Sequence, residues 1–180
     1  RVTHTQNLVL PHVRRADLAE VFAALDAAGL GAANVGTIAD IIACPGLDYC
    51  SLANARAIPL AQELSRRFAD PERQKAIGDV SIKMSGCINA CGHHHVASIG
   101  VLGVDKHGKE AYQLTLGGDP TLNAAIGDLL GPAMTEEETA DAVEKVVDLY
   151  LARREPGERF NDTLARLGRA AFKETVYAAG

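Results

Sequence analysis

The chain holds four cysteines, Cys44, Cys50, Cys87 and Cys91, arranged as two local pairs, C-x5-C (CPGLDYC) and C-x3-C (CINAC). This pattern limits the fold more than any other feature, because two short loops must each present two thiols. Four soft thiolates suit an iron–sulfur cluster or zinc. Structural zinc favours tight C-x2–4-C knuckles in both halves, and five intervening residues are loose for that. The ferredoxin runs C-x2-C-x2-C and C-x4-C-x2-C are both absent. Gly46, Gly86 and Gly92 flank the pairs, so backbone N–H groups can approach the sulfurs and stabilise their negative charge. Two disulfides, or four inert buried thiols, are the bland alternatives to a metal or cluster site.

Composition narrows the classes around that site. Hydrophobic residues make up 47% of 180, enough for a core that needs no disulfide staple. Aromatics are 4% and Trp is absent, so a helix-rich core of small side chains is expected. No apolar run approaches the roughly 18 residues of a membrane span. A net charge of −5 gives no electrostatic footprint for nucleic acid. Neither a membrane nor a nucleic acid is an expected partner. The chain opens RVTHTQNLVL, with neither Met nor a signal-like succession, and reads as a cut inside a longer polypeptide.

Periodicity predicts a mixed α/β (α+β) chain. A short strand is expected over 5–10, stopped by Pro11, then a helix capped by Asp17 with an apolar stripe of Leu18, Val21, Phe22 and Leu25. Gly29 and Gly31 end it. Ile38, Ile41 and Ile42 suggest a strand entering the first cysteine pair. Ser51 is placed to cap a helix over 52–68, kinked at Pro59. DPER starts a short helix, and residues 79–84 alternate as a half-buried strand. Val96 to Val104 and Tyr112 to Leu116 form a hairpin turning through Asp105-Lys106-His107-Gly108. Thr135 and Glu138 make a capping box for a helix over 136–153 that turns Ala140, Val143, Val147 and Tyr150 inward. One or two short helices follow Gly157. Residues 1–36 are too few for a domain of their own and 37–180 form the main one.

CPGLDYC and SGCINACGHHH resemble the sulfite and nitrite reductases that hold sirohaem beside a [4Fe–4S] cluster. QNLVL is similar to the QNL strand of that family's second ferredoxin-like half-domain. IGVLGVDKHGKEAYQLTLGG is similar to the hairpin after the cluster, and PGERFNDTLARLG to the C-terminal helices. The HHHVASIGVLGVDK wording is closest to proteobacterial assimilatory sulfite reductase haemoproteins. The resemblance implies the C-terminal half of the haemoprotein fold. Residues 1–36 would be a remnant of a ferredoxin-like half-domain, and 37–180 the domain binding sirohaem and the cluster. It further implies that Cys44, Cys50, Cys87 and Cys91 ligate the [4Fe–4S] cluster, and that Cys91 also bridges to the sirohaem iron as its proximal axial ligand. Asn89 would offer its amide to the cofactor. The implied reaction is six-electron reduction of sulfite to sulfide in the cytoplasm, with a ferredoxin or a flavoprotein as electron donor. Nitrite reduction to ammonia is the sibling reading. A non-catalytic iron–sulfur or zinc-binding module is the alternative from another class.

Reducing an oxyanion calls for converging Lys and Arg side chains. The pairs Arg14-Arg15, Arg66-Arg67 and Arg153-Arg154 are isolated and read as solvated helix faces. Lys83, just before the second cysteine pair, is the one basic residue expected near the cofactor. In the family the anion-binding residues come largely from the N-terminal half, which is missing here, so this chain by itself is expected to be inactive. His93-His94-His95 cannot all face one ion on a regular element, because strand neighbours point to opposite faces. LGGDP (116–120) lacks phosphate-loop spacing and reads as a turn.

Overall fold

Thr135 starts the helix around which the larger part of the molecule is packed. In the computed structural model, which describes residues 1–178, the chain divides into two compact units, 1–35 and 36–180. The last two positions of the expected 37–180 domain lie outside the described residues.

In the first unit, helix α1 (Leu18–Ala27) forms where its stripe predicts. Asp17 stands at its N-cap position, but its carboxylate takes the Arg14 guanidinium at 2.7 Å and no helix N–H. Leu18 and Phe22 are more than half exposed. The strand expected over 5–10 does not form. Residues 1–9 instead fold back on themselves, with Thr3 N–H donating to Asn7 O at 2.8 Å and Val9 N–H to Arg1 O at 2.8 Å. The Thr3 hydroxyl accepts from Asn7 N–H at 2.9 Å, a side-chain bond that competes with a ladder and leaves one bridge, Val2 to Leu8.

The second unit is built on a five-stranded mixed sheet in sequence order: β1 (Ile42–Ala43), β2 (Ile82–Ser85), β3 (Ile99–Asp105), β4 (Glu110–Leu116) and β5 (Asp128–Leu129). β1, β2 and β3 run parallel, and β4 and β5 are antiparallel to their neighbours. The register sets Ile82 beside Ile99 and Leu116, and Met84 beside Val101 and Leu114; all six are buried. The β3–β4 turn is a two-residue type with both central φ angles positive, 57° at His107 and 77° at Gly108, which matches the strand twist.

Helix α4 (Glu136–Arg153) covers the apolar face of this sheet. The Thr135 side chain accepts from Glu138 N–H at 3.3 Å and the Glu138 carboxylate accepts from Thr135 N–H at 2.8 Å, the reciprocal box expected. Ala140, Val143, Val147 and Tyr150 are buried, as their spacing requires. Around α4 lie α2 (Ile58–Arg67), α3 (Pro71–Ile77), α5 (Phe160–Leu167) and α6 (Arg169–Tyr177). Tyr150, Phe160 and Phe172 meet edge to face at 5.5 and 5.9 Å, which gathers three of the eight Phe and Tyr residues into one cluster.

Two expectations change here. The helix expected from Leu52 begins only at Ile58, and Pro59 lies in its first turn without a kink. Proline lacks an N–H and collides with the carbonyl four residues back, so a helix starts at it more easily than it runs through it. Residues 51–57 are thereby freed as a strap. The strand expected from Ile38 shrinks to Ile42–Ala43, because Thr37 to Asp40 turn on themselves, with Asp40 N–H to Thr37 O at 3.0 Å.

Thr135→Ala removes one half of the capping box and is expected to lower unfolding stability by about 1 kcal/mol, measured by urea denaturation. A second prediction concerns acid. The Arg166 guanidinium, helped by the Glu155 N–H, holds the Glu158 carboxyl down to about 2 from an ordinary 4.5. A depressed folded value gives stability that is complete above pH 4.5 and is lost as pH falls towards 2. Glu158→Gln should therefore flatten the acid limb of the stability–pH curve across that window.

Candidate metal centre

Parallel pairing, with Ala43 opposite Met84, delivers the chain from β1 and β2 to the same end of the sheet. Cys44 and Cys87 lie just beyond those two strand ends. Cys44 extends the ladder, its N–H donating to Met84 O at 3.1 Å. From there the first loop winds through a 3-10 turn, Gly46–Asp48, and Cys50 N–H returns to Gly46 O at 2.9 Å. The second loop is tighter. Ala90 N–H donates to Cys87 O at 3.2 Å and His93 N–H to Ala90 O at 2.8 Å, with Ala90 and His93 both at φ 56°. Gly92 then folds back over β2, its N–H donating to the Ser85 hydroxyl at 3.1 Å. A Cβ at Gly92 would lie 1.7 Å from Met84 O, so no other residue fits without moving the loop.

The two loops touch. A Cβ at Gly86 would stand 2.9 Å from the Gly46 Cα and 2.6 Å from Ala55 O. The Gly86 N–H, in the second loop, donates to Cys44 Sγ, in the first, at 3.0 Å. This is the N–H-to-sulfur contact that the flanking glycines predict, made by Gly86; Gly92 spends its N–H on Ser85.

All four cysteines are free thiols, which removes the disulfide reading of the pairs. Cys44 and Cys87 are buried, Cys50 is half-buried and Cys91 is exposed. Among the described residues, no three His, Cys, Asp or Glu side chains surround a single point as placed. What the fold brings together is the two loop backbones and one donor on one sulfur. The donor set nonetheless fits a thiolate-held cluster: four soft ligands lie on adjoining loops, and a buried N–H is aimed at sulfur.

Asn89 is exposed in the second loop. Lys83 is half-buried on β2, in register with Gly100 and on the face opposite the α4 core. The stretch between β2 and β3 crosses that face, since a Cβ at Gly100 would lie 2.2 Å from His94 O. The three histidines differ in burial, but their rings meet edge to face, His94 with His95 at 5.5 Å and His93 with His95 at 6.3 Å. His94 is buried, and burial, then neighbouring His95, lowers its pKa so that the neutral imidazole is favoured. Its Nδ1 has no hydrogen-bond partner among the described residues. Arg14 pairs with Asp17, Arg66 with Glu63, and Arg67 with Glu63, Asp141 and Glu144. LGGDP is not a turn: Leu116 ends β4 and Asp119 bridges Ala125, its carboxylate accepting from Thr121 N–H at 2.8 Å.

Ser85, Ala55, Glu110 and Tyr112 also shape the site, and motif reading passes over them. Ser85 is next to the glycine of SGC, which is a usable signal. The others act across long sequence separations and leave no local pattern.

Residues 35–179 match the family model described as the nitrite and sulphite reductase 4Fe-4S domain. Over 176 residues the chain is 34% identical to a sulfite reductase (ferredoxin) of Mycobacterium tuberculosis, covering 92% of this chain and 32% of that protein. It is 29% identical over 174 residues to a sulfite reductase (NADPH) hemoprotein beta-component of Methylorubrum populi, covering 93% and 27%. Its fold matches the structure of the Mycobacterium tuberculosis NirA protein with a TM-score of 0.74 at 29% identity, over 89% of this chain and 31% of that one. A dissimilatory sulfite reductase I structure shares the fold at a TM-score of 0.71 and 13% identity, over 93% and 59%. The chain spans 32% and 27% of the length of these two curated relatives. The chain belongs to the nitrite and sulfite reductase family, and residues 35–179 carry that family's 4Fe-4S domain.

Proposed function

We propose that residues 37–180 are the cofactor-bearing part of a sulfite reductase and that residues 1–36 are a remnant of a ferredoxin-like half-domain. Cys44, Cys50, Cys87 and Cys91 would hold the [4Fe–4S] cluster. The observation that carries this reading is the Gly86 N–H on Cys44 Sγ, because it joins the two cysteine pairs into one electrostatic unit. Cys91 is the exposed member of the four, which supports it as the thiolate shared with the sirohaem iron. Together the two groups would supply six successive electrons to sulfite, or to nitrite in the sibling reading.

The residues of this chain have separate tasks. Buried Cys44 and Cys87 keep water from their side of the site. Gly86 stabilises negative charge on sulfur. Asn89 offers its amide towards the cofactor from the exposed second loop. Lys83 is the basic residue assigned to the cofactor's surroundings. Arg66 and Arg67 are already committed to carboxylates, so the positive charge that binds the anion comes largely from the rest of the protein. The 180 residues alone are therefore expected to turn over neither sulfite nor nitrite. The names of the relatives mention ferredoxin in one case and NADPH in the other, which supports a ferredoxin or an NADPH-linked flavoprotein as the electron donor to a cytoplasmic enzyme.

Anaerobic reconstitution of the chain with iron and sulfide should yield about four irons per chain and a broad visible shoulder. A zinc-loaded, colourless protein would favour the non-catalytic module. In the full-length protein, Cys91→Ser should disturb the sirohaem spectrum together with the cluster. An unaltered sirohaem spectrum and full activity in that variant would remove Cys91 from the bridging role.

A further inference from the structure

A strap that contains no cysteine grips both cysteine loops. Ala55 O accepts from Leu47 N–H of the first loop at 3.2 Å. Ala55 N–H and Asn54 N–H both donate to Gly86 O, beside the second loop, at 3.1 and 2.8 Å. Ala55 is fully buried, so these bonds are shielded from competing water. The next residue, Arg56, is fixed from outside the site on both of its backbone groups. Its N–H donates to the Glu110 carboxylate at 2.8 Å and its carbonyl accepts from the Tyr112 hydroxyl at 2.9 Å. Its guanidinium lies 3.2 Å from the same carboxylate.

Glu110 and Tyr112 stand two apart on β4 and share a face. Burial first, then the charges of Glu136 and Glu110, raises the Tyr112 phenol above its usual value of 10, so the hydroxyl remains a donor. Gly103, opposite Tyr112 in the ladder, leaves the path open. A Cβ there would lie 2.8 Å from both Ala55 Cβ and Gly86 O.

We propose that Glu110 and Tyr112 are positioning residues for the Cys44 thiolate: they hold Arg56, the strap holds Gly86 by its carbonyl, and Gly86 keeps its N–H on Cys44 Sγ. This rests on the reading of Cys44 as a cluster ligand. The surface pair of Arg56 and Glu110 adds little stability of its own. Its value lies in where it puts the donor. An N–H on a ligating sulfur stabilises the electron-rich state more than the electron-poor one, so it raises the reduction potential. Loosening the strap lowers it.

The test uses Tyr112→Phe, which removes one oxygen, Glu110→Ala, and Glu110→Gln, which keeps an acceptor for the Arg56 N–H. In the cluster-free full chain, Gly86 amide exchange should speed up about fivefold or more in Tyr112→Phe and Glu110→Ala, and stay near wild type in Glu110→Gln. The Val143 amide in α4 should not change, which separates local release from general unfolding. In the cluster-loaded protein the same two variants should show a more negative potential, again restored in Glu110→Gln. Unchanged Gly86 exchange in Tyr112→Phe would overturn the clamp. Faster exchange with an unchanged potential would overturn its action on the thiolate. If the wild-type chain takes up no cluster, the ligand reading falls with the tuning, while Gly86 exchange still decides whether the clamp exists.

Discussion

Contact between the two cysteine loops depends on backbone meeting backbone with no side chain between. Gly46 and Gly86 are the point of contact: a Cβ on Gly46 would lie 2.5 Å from Ala57 N, and one on Gly86 2.6 Å from Ala55 O. Those neighbours are main-chain atoms that cannot rotate away. The same closeness lets the Gly86 N–H reach Cys44 Sγ at 3.0 Å. The glycines thus do more than permit tight turns. They set the distance between two thiol-bearing segments that are far apart in sequence.

Sheet topology makes that meeting possible. Because β1, β2 and β3 run parallel, each connection must cross back over a face before the next strand begins. Between β1 and β2 the crossing uses helices α2 and α3. Between β2 and β3 it uses the second cysteine pair and the histidine stretch, which press onto Gly100 and Gly118. A Cβ at Gly118 would lie 2.6 Å from Ala97 O. The α4 face of the sheet is closed by branched aliphatic side chains, whereas the crossed face carries Lys83, Gly100 and Thr115 side by side. One sheet therefore separates a dry core from a more polar face, with Cys44 buried against the core at the sheet's end.

Local chemistry was readable wherever the partner lay nearby in sequence. The Thr135 box, the Asp70-Pro71 helix start and the His107-Gly108 turn all have partners within a few residues, and each cysteine pair is itself local. Expectations failed where the decision was tertiary or where two local preferences competed. Ser51 offered a cap, but Pro59 fixed the helix start and turned 51–57 into a strap. The 5–10 segment has strand-like residues, but the Thr3 hydroxyl and its own fold-back claimed its bonds. The cysteine quartet was visible as a list of donors. Its alignment was not, because Ala55, Glu110 and Tyr112 join it only through bonds that span the sheet.

Those long bonds tie the site to the part of the chain that folds most predictably. Tyr112 N–H and C=O exchange bonds with Met134 at 2.8 and 2.9 Å, and Met134 directly precedes the Thr135 cap of α4. The capped helix end fixes Met134, Met134 fixes β4, and the Tyr112 hydroxyl on β4 fixes Arg56. From Arg56 the restraint passes through Ala55 to Gly86 and ends on the sulfur of Cys44. Every joint in this series is a backbone group or a side chain buried or bonded at both ends, so little slack accumulates along it. A helix start encoded by Thr135 and Glu138 is thus connected, bond by bond, to the Gly86 N–H that donates to Cys44 Sγ. The surface pair of Arg56 and Glu110 belongs to that series because the same carboxylate accepts the Arg56 N–H, pinning the strap to β4 beside the Tyr112 bond.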